Sequence, residues 1–105
     1  MAKNYDSTGQ TVVITAPAAG TTAGKPLVVN TLVLVPLQTA KQGEQVTCRT
    51  CDAWRLPAAA GLKLGDKVSV LADGSLVEDG AANSTPFGKL ISEVLGGSAS
   101  ALLIQ

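Results

Sequence analysis

The apolar residues of this chain fall in short, β-branched runs separated by Gly, Pro, Asn and Asp, and almost nothing repeats at helical spacing. The runs are TVVIT (Thr11 to Thr15), PLVVN (Pro26 to Asn30), LVLVPL (Leu32 to Leu37), KVSVL (Lys67 to Leu71), SLVED (Ser75 to Asp79), FGKLISEVL (Phe87 to Leu95) and a closing ALLIQ. EQVTCRTCDAWRL, from Glu44 to Leu56, alternates well enough to predict one long strand. Such a chain can bury its apolar side chains only by pairing strands, so the fold class is all-β. About seven or eight short strands are expected, forming a small β-barrel or β-sandwich. That single domain spans residues 11–105, behind an extended, flexible arm of residues 1–10.

Turn chemistry refines this order. Asp73-Gly74 predicts a tight hairpin, and Gly96-Gly97-Ser98 a second. PLVVN and LVLVPL are either one bent strand or two joined by a tight corner. Pro36 removes a ladder donor, which predicts an edge strand or a bulge at that point. PAAGTTAGKPLVV from Pro17 is echoed by PAAAGLKLGDKVSV from Pro57. The echo predicts a repeated loop shape with a glycine re-entry into the next strand, and the PAAAGLKL copy could take one helical turn.

At 105 residues the chain can bury roughly two thirds of its unfolded surface and fold without disulfides. Eight basic residues balance eight acidic ones, with no block of like charge. Nucleic acid and anionic membrane are therefore not expected partners, since both need a basic surface. The run Pro26 to Leu37 is too short and too interrupted to cross a bilayer. The polar start MAKNYDSTGQ has no signal-peptide core, so synthesis and folding in the cytoplasm are expected. Charged residues make up 15% of the chain, against about 25% in ordinary soluble domains. Either part of this surface is covered by a copy or a partner, or it is merely rich in alanine.

Catalytic and ligand-binding constellations are sparse. Cys48 and Cys51 form a CxxC in a chain with no histidine, leaving a zinc site two ligands short. Strand formers surround the pair, where a redox motif would place a helix amino terminus. Along a strand the two cysteines would lie about 10 Å apart and face opposite ways, too far for a disulfide, which needs Cα atoms within about 7 Å. The expectation is packing, with Cys48 on the same, more buried face as Val46, Thr50 and Trp54, and Cys51 beside Arg49, Ala53 and Arg55. GTTAGKP, from Gly20, has the wrong glycine spacing for a phosphate loop, and Pro26 stands where a Ser or Thr belongs. The adjacent acids Glu78 and Asp79 precede a turn glycine and read as solvated. No catalytic residue, metal ligand, cofactor or small-molecule substrate is expected. In the amino-terminal arm, Lys3, Asn4 and Tyr5 are candidate partner-binding residues, with Tyr5 as an aromatic anchor and Lys3 as a rim charge.

In order and spacing, MAKNY, TVVITAPAAG, AGKPLVV, LPAAAG, GDKVSV, FGKL and ALLIQ together resemble the phage capsid cement, or head decoration, proteins. The resemblance covers nearly the whole chain. The chain departs from that pattern at Ser69 to Leu71, where an aromatic is usual, and in the CRTC pair. The resemblance implies a homotrimer on the outer capsid surface of a virion, bound to a major capsid protein at threefold or quasi-threefold positions. Assembly would take place in the host bacterial cytoplasm. It also implies a mechanical role, holding capsomer seams closed against packaged DNA. Two other readings stay open at this level: a small thiol or metal module using the CxxC, and another virion β-barrel such as a tail adaptor.

Overall fold

The computed structural model describes residues 7–105. Among them the chain forms nine strands and no helix. The first four, β1 (Thr11–Thr15), β2 (Leu27–Val29), β3 (Leu32–Pro36) and β4 (Gln45–Arg49), make an antiparallel sheet in the order β1-β4-β3-β2. The other five are β5 (Ala53–Pro57), β6 (Lys67–Val70), β7 (Leu76–Glu78), β8 (Thr85–Leu90) and β9 (Ser98–Leu103). They form a second antiparallel sheet, ordered β5-β9-β8-β6-β7. The architecture is a two-sheet sandwich rather than a closed barrel.

The strand beyond the expected seven or eight comes from the run Glu44–Leu56, which is two strands in different sheets. The break falls at Thr50–Asp52, where Asp52 adopts a φ of 81° and its carboxylate meets the Arg49 guanidinium at 2.5 Å. A left-handed residue cannot continue a ladder, so the chain leaves one sheet there and enters the other. This corrects the expected shared face: Cys48 does lie with Val46, whereas Trp54 packs against the other sheet's core.

PLVVN and LVLVPL form a hairpin closed by Asn30-Thr31, with Val29 opposite Leu32 and Asn30 at φ 57°. Pro36 is neither on an edge nor at a bulge, because β3 is an interior strand. It is tolerated because its carbonyl accepts from Gly24 on the β2 side, ahead of Leu27, β2's first paired residue, while Leu37 donates to Thr47 of the β4 segment. The missing donor therefore points past the end of the neighbouring strand. At the β6–β7 turn only Gly74 has positive φ, and the Asp73 carboxylate accepts the Ser75 amide at 2.9 Å. That bond and a second from the Ser75 hydroxyl hold the Asp73 carboxyl below its ordinary pKa. Gly96 and Gly97 close the predicted hairpin between Leu95 and Ser98.

The two echoed loops do share a shape. Gly20 and Gly24 in the first, and Gly61 and Gly65 in the second, all have positive φ. Matching turns are closed by Lys25 N to Thr22 O and by Asp66 N to Lys63 O, both 3.0 Å. Neither copy takes a helical turn, since each pair of glycines fixes a left-handed backbone at both ends of a three-residue span.

Every residue of β3 after Leu32 is buried, because both faces of the strand are covered. Val33 and Val35 pack into the main core with Leu56, Val68, Val70, Leu76, Phe87, Leu90, Ala99, Ala101 and Leu103. Leu34 points the other way, to a smaller cluster with Val46 and Cys48. The two valines join the sheets, each contributing about 1.5–3 kcal/mol by burial. Gln105 clamps the same junction: Nε2 donates to Val33 O at 2.7 Å and Thr50 O at 2.8 Å, and Oε1 accepts from Val33 N at 3.2 Å. Gln105→Ala is expected to lower stability by about 1–2 kcal/mol, measurable as a reduced urea midpoint at constant slope.

Candidate interaction surface

The strand alternation that fills the main core sends every other residue of the five-stranded sheet outward. Ala53, Arg55, Lys67, Lys89 and Leu102 are exposed on that outer face. Ile91 and Ile104, at the ends of the strand ladders, are 44% and 50% exposed. The face is thus a mixture of apolar side chains and cations around a shallow groove lined by Lys67, Lys89, Asp79, Pro86, Ile104 and Gln105.

The four-stranded sheet leaves more apolar surface open. Val13 stands opposite Thr47, and Leu37 pairs with the other side of Thr47, giving a bare row beyond the part of the sheet that Val33 and Val35 attach to the core. Val13 is 60% exposed. On the opposite face, Val12, Ile14 and Ala40 only half cover the cluster of Leu34, Val46 and Cys48. β1 is also an edge strand with neither Lys nor Pro in it, two of the usual guards against strand pairing.

The cysteine pair divides between two environments. Cys48 is fully buried, and burial pushes its thiol pKa up. Cys51 lies half-buried in the crossover, with Sγ 3.7 Å from Asp52 Oδ1 and 4.0 Å from an Arg49 nitrogen, and its carbonyl accepts the Trp54 indole N–H at 2.9 Å. Both thiols are free, and among the described residues no cluster of three or more metal-ligating side chains is assembled. Cys48 is a packing residue, as the alternation predicts. Because its folded pKa is raised, its protonated form stabilises the fold below the ordinary thiol pKa, and that contribution fades as pH climbs through the raised value. At pH 8 a thiol reagent is expected to modify Cys51 in the native protein and Cys48 only after unfolding. Equal native rates would show that the smaller cluster opens readily.

Lys3, Asn4 and Tyr5 lie outside the described residues. The chain just after them is tied to the crossover: Thr50 N donates to Gln10 O at 3.0 Å, and the Thr50 hydroxyl donates to Gly9 O.

A model of the phage cement protein family matches residues 7–104, from just before these ties to the last residue but one. The chain belongs to the phage cement protein family. No curated protein and no solved structure matches it significantly. A phage cement protein is a component of the virion that binds the capsid, so the surfaces to weigh are docking surfaces rather than catalytic clefts. Sequence reasoning places its candidate partner-binding residues in the arm and does not assemble the outer face of the five-stranded sheet. The alternation of KVSV and SASALL marks Lys67 and Leu102 as outward residues, but only strand order makes them neighbours across Lys89.

Proposed function

We propose that this protein decorates the outside of a phage head as a homotrimer and reinforces the shell against the pressure of packaged DNA. The match to the cement family over residues 7–104 carries the reading. The surface supports it: large apolar residues such as Val13, Leu64 and Leu95 are well exposed on a domain with no net charge, a combination that favours association. A cyclic trimer buries part of that surface and presents three equivalent capsid-binding sites. Because the three are linked, modest individual contacts sum to strong retention. Binding across a seam between capsomers adds free energy only while the seam is closed, and the reading assigns no catalysis to the chain.

The arm is part of the proposal, with Lys3, Asn4 and Tyr5 lying along the shell or a neighbouring subunit as an added strand. Light scattering during size exclusion is expected to give a trimer, and undecorated heads are expected to take the protein up and then retain DNA to a higher temperature. A monomer without affinity for heads would sink the reading. Deleting Ala2–Asp6 spares the Gly9 and Gln10 ties, so the fold should persist while head occupancy falls. Unchanged occupancy would remove the arm from the mechanism.

A further inference from the structure

The outer face of the five-stranded sheet carries an electrostatic arrangement that folding does not require. Lys67 on β6 stands directly opposite Lys89 on β8, and Lys89 directly opposite Leu102 on β9, all three exposed. Like charges facing each other on adjacent strands destabilise a sheet. Among the described residues the one ion pair is Arg49 with Asp52, so neither ammonium there has a carboxylate within salt-bridge reach. Asp79 lines the same groove, but the register puts it on the far side of Lys67, next to β7. Lys89 is left between a second cation and the exposed apolar side chains of Leu102, Ile91 and Ile104.

We propose that this face grips the shell, receiving an acidic segment of the major capsid protein. That segment sets a carboxylate between Lys67 and Lys89 and an apolar side chain on Leu102 and Ile104. The inference rests on the cement reading above and names the surface that performs it. Charge complementarity chooses the occupant: a carboxylate there offsets the repulsion between the lysines, and the surrounding apolar side chains exclude water and strengthen the attraction. A second copy meeting this face by twofold symmetry would set lysines against lysines.

The two demands on Lys89 pull in opposite directions, which makes the test selective. Lys89→Ser relieves the repulsion, so the isolated protein is expected to melt about 1–4 °C higher. The same change should weaken binding to undecorated heads by roughly tenfold or more, and Lys89→Glu by more still. The salt dependence of wild-type binding should flatten in both variants. Unchanged head affinity in both variants, with wild type binding normally, overturns the inference and leaves the cement reading standing. Loss of self-association in Lys89→Glu, with melting intact, overturns it by assigning the face to a contact between copies. Failure of the wild-type protein itself to bind heads overturns the cement reading, and this inference with it.

Discussion

Gly88→Ala is expected to abolish folding or to lower the melting temperature by about 15–30 °C, a loss of about 4 kcal/mol or more. A Cβ placed on Gly88 would lie 1.9 Å from the carbonyl oxygen of Leu102 and 3.0 Å from the amide nitrogen of Ile104. Both are backbone atoms of the neighbouring β9 segment, so no side chain can rotate away. Relief requires the β8–β9 ladder to open at Gly88–Leu103, where Leu103 enters the main core and the chain runs on to the Gln105 clamp. Gly43→Ala is the matched control. Gly43 has positive φ, but a Cβ there would meet nothing within 4 Å, so only the backbone penalty of about 1–2 kcal/mol is expected. Thermal melts of the two variants side by side check the argument, and a Gly88→Ala protein melting within a few degrees of wild type would refute it.

Phe87→Ala is expected to cost about 3–5 kcal/mol, read as a large drop in the urea midpoint. Among the described residues Phe87 is the largest fully buried side chain, and it sits in the core that joins both sheets. It reaches that core through the irregularity beside Gly88. The ladder between β6 and β8 pairs Val68 with Gly88 and then Ser69 with Pro86, leaving Phe87 as the extra residue. The bulge shifts the alternation by one, so Phe87 and Leu90 both point inward although three positions apart. Phe87→Leu should recover a large part of the loss by refilling the cavity. If Phe87→Ala and Phe87→Leu were equally mild, the aromatic ring would not be a principal support of the core.

The strand runs, the Gly96-Gly97 hairpin and the repeated glycine loops are legible because each depends on neighbours in the chain: β-branched residues favour extended backbone, and particular turns need left-handed residues. The run through CRTCDAWRL misleads for the same reason. Its alternation is genuine on both sides of Thr50–Asp52, yet nothing local says that the chain changes sheets there, so Trp54 reads as sharing the face of Cys48. Pro36 misleads because a missing donor usually marks an edge, whereas here the next strand simply stops short of it. The need for glycine at position 88 is invisible in FGKL, because the obstructing atoms come from Leu102 and Ile104.

The sequence by itself determined the all-β class, most strand positions, the packing role of Cys48 and, through the order of its motifs, the cement family. Tertiary structure alone decided which strands are neighbours, and with them the Val33–Val35 junction, the Gln105 clamp and the row of Lys67, Lys89 and Leu102. Local backbone preferences are written within a few residues and can be read there. Pairing between strands is chosen by the burial of side chains contributed from across the whole chain, and a docking face exists only after that choice has been made.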